Sequence, residues 1–201
     1  MVKVGLTGGI ACGKSMVAAM LVRKGALLLD ADLLAREVVA PGEPAWQEIK
    51  DWLGDTCLHE DGTLDRVRIA GLIFSSAAAR EKLNNIVHPR VIALLRRRSA
   101  ALEEKGTGGV QVWDVPLLFE AGLDVTVDLI LVVAAGEDVQ VQRLVRRDGL
   151  SMAQALRRIH AQMPLADKIR SADHVIYNSG TLKELSAQVD RFWKEITDKY
   201  F

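Results

Sequence analysis

The sequence predicts an α/β fold with three layers, in which helices cover both faces of a parallel sheet of five strands. Apolar runs rich in β-branched residues predict the strands at residues 2–7, 26–30, 110–115, 127–133 and 174–177. Helical periodicity fills the segments between these runs, and strands that alternate with helices are typical of parallel sheets. The chain has 201 residues, of which 49% are hydrophobic and 26% charged, an ordinary composition for one globular domain.

A glycine-rich loop follows the first predicted strand, and a buried helix predicted near residues 16–22 follows the loop. The loop reads GGIACGKS at residues 8–15 and matches the phosphate-binding pattern G-x-x-x-x-G-K-[ST]. In this setting backbone N–H groups surround the phosphates, and the helix N-terminus adds positive potential. We expect Lys14 to reach the terminal phosphates and the Ser15 hydroxyl to ligate Mg²⁺. The pattern predicts a nucleoside triphosphate bound by Gly8, Gly9, Ile10, Ala11, Cys12, Gly13, Lys14, Ser15 and Met16; a plain connecting turn is the alternative.

Three acidic residues lie at strand ends: Asp30 at the end of the second predicted strand, Asp32 just past it, and Asp114 at the end of the third. Asp32 lies just past the second strand, where it can reach the ligand crevice, so we predict that it is the general base for an acceptor hydroxyl. Asp30 is then structural or an outer magnesium group; alternatively, both residues cap a helix predicted near residues 33–39. Asp114 ends a strand in a loose Walker B pattern, which predicts a second magnesium contact.

The second and third predicted strands are separated by about 75 residues, far more than one crossover helix requires. Helical patterns lie near residues 44–53, 65–74 and 77–104. We predict a core at about 1–40 and 109–201, and a helical insertion at about 41–108 that forms the pocket of a second substrate. An ordinary long crossover is the alternative. His88 lies in this region and is predicted to be a substrate contact at most.

A second irregular region follows the helix predicted near residues 138–147. Gly149 is a plausible left-handed cap for that helix, and Ser151 is a plausible start for the next one, which Pro164 ends. The region carries Arg157, Arg158 and Gln162. We interpret about 147–172 as a lid.

Two arginines and an apolar loop complete the candidate site. Arg143 and Arg147 are four residues apart, so their side chains extend from the same helix face. Two guanidinium groups there could stabilise the negative charge on the phosphoryl oxygens in the transition state. A solvated basic helix face is the alternative. The apolar segment at 115–120 can line a substrate pocket or pack in the core.

The two cysteines, Cys12 and Cys57, do not form a disulfide framework. We expect the Cys12 thiol to be accessible and easily ionised beside Lys14 and a helix N-terminus; alternatively, it is a small residue turned away from the ligand. Acidic and basic residues balance at 26 each, which argues against nucleic acid and acidic membranes as partners. No apolar run has transmembrane length and no signal peptide is evident, so we expect a cytoplasmic protein. The sequence does not reveal the oligomeric state, and a monomer or weak homo-oligomer is our working expectation.

These motifs together resemble the dephospho-CoA kinase family, in the family's order and over nearly the whole chain. The most specific are Asp-Ala-Asp at 30–32 with Ala-Arg at 35–36, and Asp-Val-Pro-Leu-Leu-Phe-Glu at 114–120. The others are Gly-Leu-Thr-Gly-Gly-Ile at 5–10, Gly-Lys-Ser at 13–15, His-Pro at 88–89, Arg143, Arg-Asp at 147–148, Arg-Ile at 158–159, Gln162, Ala-Asp-His-Val-Ile at 172–176 and Asn-Ser-Gly at 178–180.

The resemblance implies a P-loop kinase core with a helical substrate-binding subdomain and a mobile lid. It implies transfer of the ATP γ-phosphate to the ribose 3′-hydroxyl of dephospho-CoA, with Mg²⁺. The implied catalytic residues are Asp32, Lys14 and Arg143, and the implied substrate contacts are Asp32, Arg36, His88, Leu117 and Phe119. Arg147, Asn178 and Gly180 are implied nucleotide contacts, and Ser15 and Asp114 are implied metal ligands.

The loop departs from the family pattern Gly-Ser-Gly-Lys-Ser-Thr at Ala11, Cys12 and Met16 but keeps Lys14 and Ser15. A different small-molecule kinase with the same loop is the nearest alternative. A nucleotide-dependent switch protein is another, although the sequence has no guanine-reading motif and such a protein would leave Asp32 without a task.

Overall fold

The computed structural model describes residues 1–74, 76–106 and 108–201 and confirms the five-stranded parallel sheet. Ser75 and Thr107, which fall within the predicted insertion, lie outside the described residues. The strands are β1 (Val2–Gly8), β2 (Leu27–Asp30), β3 (Val110–Asp114), β4 (Leu129–Ala134) and β5 (His174–Tyr177). Each strand starts and ends within two residues of its predicted bounds.

The strand order is β2-β3-β1-β4-β5, so β1 lies at the centre of the sheet. Leu6 of β1 is paired with Asp114 of β3 on one side and with Leu131 of β4 on the other, both in parallel register. The carboxyl ends of these three strands therefore meet at one edge of the sheet, where ligands bind in open α/β folds. The glycine-rich loop begins at this edge, directly after β1.

The helices in the described ranges are α1 (Lys14–Arg23), α2 (Ala31–Glu37), α3 (Pro44–Leu53), α4 (Arg66–Phe74), α5 (Ala77–Glu104), α6 (Glu137–Asp148), α7 (Met152–His160), α8 (Leu165–Arg170) and α9 (Leu182–Tyr200). Gly149 ends α6 in the left-handed conformation, with φ of 66°, as predicted. Ser151 begins α7 with a capping box that includes Gln154, so its predicted start is also confirmed.

Side chains along β1 alternate between the two faces of the sheet. Val4 and Leu6 are fully buried in one apolar cluster with Leu21 of α1 and Val189 of α9. Gly5 points the opposite way, and a Cβ atom there would lie 2.8 Å from the Leu118 side chain. The helix predicted to be buried is buried on one face only: α1 packs Val17, Ala18 and Leu21 in the core and leaves residues such as Met16 and Val22 exposed.

The chain divides into two compact units. The core unit comprises Met1–Leu29 and Gly106–Phe201, and the helical unit comprises Asp30–Lys105. In the helical unit α2, α3 and α4 each pack on the long helix α5. Because α2 packs on α5, the helical unit includes α2 in addition to most of the predicted insertion.

Helix α5 has the bounds predicted for it even though Pro89 lies inside it. Proline removes one backbone donor and usually kinks or breaks a helix. Next to it, the Arg90 guanidinium donates to the Ile86 carbonyl at 2.6 Å and to Glu48 of α3 at 2.5 Å. Helix α5 nevertheless continues through the proline, and α2, α3 and α4 pack on it.

Candidate active site

The glycine-rich loop is a tight turn with two positions that favour glycine. Ala11 and Gly13 both have positive φ, at 60° and 90°. For alanine this conformation costs roughly 1–2 kcal/mol, which the usual family glycine would avoid. A Cβ atom on Gly13 would lie 2.1 Å from the Asn178 amide nitrogen, so this position requires glycine on steric grounds as well.

Two side chains hold the loop from behind through its carbonyl groups. Arg143 donates to the Ala11 carbonyl at 3.1 Å and to the Asn178 carbonyl at 2.8 Å. The buried Asn178 amide donates to the Cys12 carbonyl at 2.8 Å. The N–H of a peptide unit points opposite to its C=O, so the Gly13 N–H points away from Asn178. Within the described residues this N–H has no hydrogen-bond partner and is therefore free for a phosphate oxygen.

Lys14 and Asp114 form a short ion pair at the carboxyl edge of the sheet. Their side chains are only 16% and 6% exposed. The register places Asp114 next to Leu6 of β1, so β3 delivers its carboxylate beside the start of α1. The two residues that the sequence assigned to phosphate and magnesium are therefore in direct contact.

The oxygen groups near this pair suit a hard divalent cation. Ser15 is exposed in the first turn of α1, and its hydroxyl makes no hydrogen bond to any described residue. Across the described ranges no group of three or more His, Cys, Asp and Glu side chains could hold a metal ion. Mg²⁺ commonly uses one or two protein oxygens and takes its other ligands from phosphates and water. Ser15 and Asp114 fit that pattern.

A fully buried lysine that the sequence analysis missed lies beside this site. The Lys168 ammonium, in α8, pairs with Glu120 at 2.9 Å and donates to the Pro116 carbonyl at 3.3 Å. Thr7 at the end of β1 donates to the same carbonyl at 3.0 Å. Partial burial raises the pKa of Glu120, but the hydrogen bond and charge of Lys168, together with backbone hydrogen bonds, outweigh this effect, and the pKa lies below its ordinary value of 4.5. Lys168 thus fixes the segment that follows Asp114.

We expect Lys168→Met to lower the free energy of unfolding by roughly 1–3 kcal/mol, because it leaves the Pro116 carbonyl and the Glu120 carboxylate without their buried donor. Urea unfolding measures this loss. Lys194→Met is the matched control, since that lysine pairs with Asp198 on the exposed face of α9 and should cost less than about 1 kcal/mol. Equal losses in the two variants would show that the buried pair has no special weight.

The pair of Lys168 and Glu120 also determines how the free energy of unfolding should change with pH. A carboxyl group whose pKa is lowered by folding stabilises the protein above its unfolded pKa, and this stabilisation is lost as the pH falls through the folded value. Glu120 should therefore contribute fully above about pH 4.5 and progressively less below it. The difference in unfolding free energy between wild type and Lys168→Met should shrink over the same range.

The expectation of an accessible, easily ionised Cys12 thiol is wrong. Cys12 is 0% exposed and belongs to the apolar cluster formed by the sheet with α1 and α9. Burial raises the pKa of the thiol above 9.0, although backbone hydrogen bonds and the charges of Arg143 and Lys168 oppose this effect. The alternative, a small residue turned away from the ligand, describes the structure.

We expect neither cysteine to react quickly with a thiol reagent in the folded protein near neutral pH, because Cys12 and Cys57 are both buried and both have raised pKa values. The measurement is the labelling rate with a chromogenic disulfide, in buffer and in denaturant. Both thiols should label after unfolding. Fast labelling in buffer that disappears in Cys12→Ser would contradict the buried placement.

The two arginines of α6 behave differently although they are four residues apart. Arg143 is half-buried and bound to loop carbonyls, whereas Arg147 is exposed and paired with Asp148 at 2.7 Å. Arg158 of α7 pairs with the same carboxylate at 3.1 Å. Asp148 thus forms ion pairs with two arginines of the predicted lid. The contact of Arg147 with the nucleotide stays a prediction.

The two aspartates at the junction of β2 and α2 have different surroundings. Asp30 caps α2, accepting from the N–H groups of Asp32 and Leu33 at 2.8 and 3.1 Å. Helix α2 therefore starts two residues before the helix predicted near residues 33–39. Of the two aspartates proposed as alternative caps, only Asp30 caps the helix. Asp32 is exposed in the first turn, and its carboxylate makes no hydrogen bond or ion pair to the residues described here. Arg36 and His88 are also exposed.

A cavity of about 300 Å³ lies within the helical unit, between α2, the start of α3 and α5. Arg97 lines it and is exposed, without an ion pair to any described side chain. Other lining residues are Val38, Pro44, Arg90, Leu94 and Arg98. The cavity thus combines apolar side chains with guanidinium groups.

The remaining predicted contacts lie in the core unit. Leu117 is 39% exposed and Phe119 is half-buried, while Leu118 between them is fully buried against Gly5. The apolar segment thus packs in the core through Val115 and Leu118 and leaves Leu117 and Phe119 available to a ligand. A Cβ atom on Gly180 would lie 2.2 Å from the Glu184 carboxylate that completes the capping box of α9, so a larger residue there would displace that side chain.

The glycine loop lies between the central strand β1 and helix α1, and its lysine is paired with an aspartate at the end of β3, the neighbour of β1 in the sheet. This arrangement defines a P-loop nucleotide-binding protein. A sequence profile of the dephospho-CoA kinase family matches residues 2–184. The chain belongs to the dephospho-CoA kinase family.

Individual relatives agree with the profile. The chain is 44% identical to a dephospho-CoA kinase of Corynebacterium efficiens over 98% of both chains. It is 42% identical to one of Syntrophus aciditrophicus, over 99% of this chain and 85% of the relative. A crystal structure of a Thermus thermophilus protein superimposes with a TM-score of 0.81 and 34% identity, covering 100% of this chain and 98% of the other. The predicted P-loop kinase fold is confirmed.

Helices in the described ranges do not have the length and apolar character that a membrane crossing requires.

Proposed function

We propose that this protein transfers the terminal phosphoryl group of ATP to the ribose 3′-hydroxyl of dephospho-CoA, giving coenzyme A and ADP. The observation that carries the proposal is a complete phosphate loop, with the paired Lys14 and Asp114, in a chain that matches the family profile over residues 2–184.

The loop is suited to the phosphates of the nucleotide. Its carbonyl groups are held from behind by Arg143 and Asn178, which leaves the Gly13 N–H free, and the N-terminus of α1 adds positive potential. Lys14 can exchange its bond with Asp114 for phosphate oxygens. Mg²⁺ held by Ser15 and Asp114 would neutralise phosphate charge.

The proposed base for the acceptor is Asp32, whose exposed carboxylate is free of partners in the described part of the chain. It takes the proton of the 3′-hydroxyl while that oxygen forms a bond to the γ-phosphorus. The bond from the γ-phosphorus to the bridging oxygen breaks, and ADP leaves with the electron pair. Arg36 lies one helical turn after Asp32, so it leaves the same helix face and can contact an anionic acceptor.

The helical unit is proposed to hold the rest of the acceptor. Its cavity offers guanidinium groups for the acceptor's phosphates and apolar side chains for its organic arm. His88, Leu117 and Phe119 are proposed as further contacts. The predicted lid at about 147–172 would close over the nucleotide and exclude water, with Arg147 as one of its donors.

An acceptor panel tests the proposal. ADP formation is followed with ATP, Mg²⁺ and, in separate reactions, dephospho-CoA, adenosine, shikimate or gluconate. We expect kcat/KM to be highest with dephospho-CoA and negligible with the other acceptors. A preference for a nucleoside or sugar acid would assign the chain to a different small-molecule kinase activity. ADP formation as fast without any acceptor as with dephospho-CoA would indicate a nucleotide-dependent switch.

A further inference from the structure

Gln162, which follows α7, makes a long-range contact with the phosphate loop. Its side-chain oxygen accepts a hydrogen bond from the Ile10 N–H at 3.0 Å. Gln162 is half-buried, and its side-chain nitrogen has no hydrogen-bond partner among the residues that the structure describes. One end of this amide is therefore engaged with the loop, and the other end is a free donor.

The Ile10 N–H differs from the neighbouring loop donors. The Cys12 N–H is used inside the loop, on the Gly9 carbonyl at 3.1 Å, whereas the Ile10 N–H points out of the loop at an acceptor on another segment. Phosphate oxygens are acceptors of the same kind, and N–H groups of such loops are their donors. The Gln162 oxygen thus lies where a phosphate oxygen could be bound.

The chain around Gln162 holds its backbone close to the loop. The next residue, Met163, donates its N–H to Glu120 at 3.2 Å, and Glu120 is paired with the buried Lys168. On the other side, α7 is packed on α6 through Ala155 and Leu144, both fully buried. These contacts place the Gln162 side chain at the loop, where a rotation about its own bonds is enough to change its hydrogen-bond partner.

We propose that Gln162 is a nucleotide-contacting residue, whose amide leaves the Ile10 N–H and donates to the terminal phosphoryl group when ATP is bound. An amide can fill both roles because it carries an acceptor and a donor on one group. Glutamate can accept from Ile10 but cannot donate when ionised, and it repels phosphate. The proposal rests on the proposed function only in requiring that ATP binds at this loop.

The test compares the affinities of Gln162→Ala and Gln162→Glu for ATP and ADP, by calorimetry with Mg²⁺ and without acceptor. A hydrogen bond to a charged group contributes about 1.5–3 kcal/mol, so we expect Gln162→Ala to weaken ATP binding by roughly tenfold or more. We expect a larger loss in Gln162→Glu, because that variant adds repulsion. ADP lacks the terminal phosphoryl group, so its affinity should change far less in both variants.

Gln142→Glu is the charge-matched control, since Gln142 is exposed on α6 and has no side-chain partner in the described ranges. It should bind both nucleotides as wild type does, and urea unfolding should show that all three variants fold. Equal losses of ATP and ADP affinity in the Gln162 variants, or ATP binding by Gln162→Glu as tight as in wild type, would overturn this inference alone. Absence of ATP binding by wild type would overturn the proposed function as well.

Discussion

Asp32→Asn is expected to lower kcat by roughly 10²–10⁴-fold, the usual contribution of a positioned general base. ATP affinity should stay nearly unchanged, because the base acts on the acceptor hydroxyl and not on the nucleotide phosphates. Steady-state kinetics with dephospho-CoA, together with a direct ATP-binding measurement, separates the two effects.

Asp30→Asn is the matched control, with the same chemical change two residues earlier. Asp30 caps α2, and asparagine caps helices about as well as aspartate, so stability and turnover should both be close to wild type. Near-normal turnover in Asp32→Asn would contradict the base assignment. A similar fall of kcat in both variants would instead show that the substitutions act by disturbing the structure at the start of α2.

Lys14→Ala is expected to damage ATP affinity and turnover together. Its ammonium is proposed to contact phosphates in the ground state and in the transition state, so its loss weakens both. We expect an affinity loss of roughly tenfold or more, the usual effect of deleting a hydrogen bond to a charged group. We expect kcat to fall by roughly 10²–10³-fold, as when a transition-state donor is removed.

Lys24→Ala provides a control at the other end of α1, where the lysine pairs with Asp190 near the surface. That variant should bind ATP and turn over normally. If Lys14→Ala kept wild-type ATP affinity while losing turnover, Lys14 would act only in the transition state, and the ground-state phosphate contact would have to be withdrawn.

Much of the fold could be predicted because its strands are short apolar runs with clear ends. The predicted strand at 127–133 corresponds to Leu129–Ala134, and α5 was predicted at its observed bounds, Ala77–Glu104. The strand order could not be predicted, since the central position of β1 depends on which strand each crossover returns to. The early start of α2 was missed because Asp30 is both the end of β2 and a helix cap.

The phosphate loop could be predicted because its pattern is local, and the residues around it could not. Gln162 reaches Ile10 across 152 positions, and Lys168 reaches Pro116 across 52. No local periodicity encodes such contacts. The Cys12 prediction was wrong because the direction of a loop side chain depends on backbone angles that spacing does not determine. Arg143 and Arg147 have ideal helical spacing, yet Asp148 pairs with Arg147 and leaves only Arg143 on the loop.

Chemical identification of the product tests the central claim most directly. The protein is incubated with ATP, Mg²⁺ and dephospho-CoA, ADP is quantified, and the second product is analysed by mass spectrometry and phosphorus NMR. We expect one coenzyme A for each ADP, with the new phosphate on the ribose 3′-oxygen, and negligible ADP when dephospho-CoA is left out. ADP formed at the same rate without dephospho-CoA, or a phosphate at another position of the acceptor, would contradict that claim.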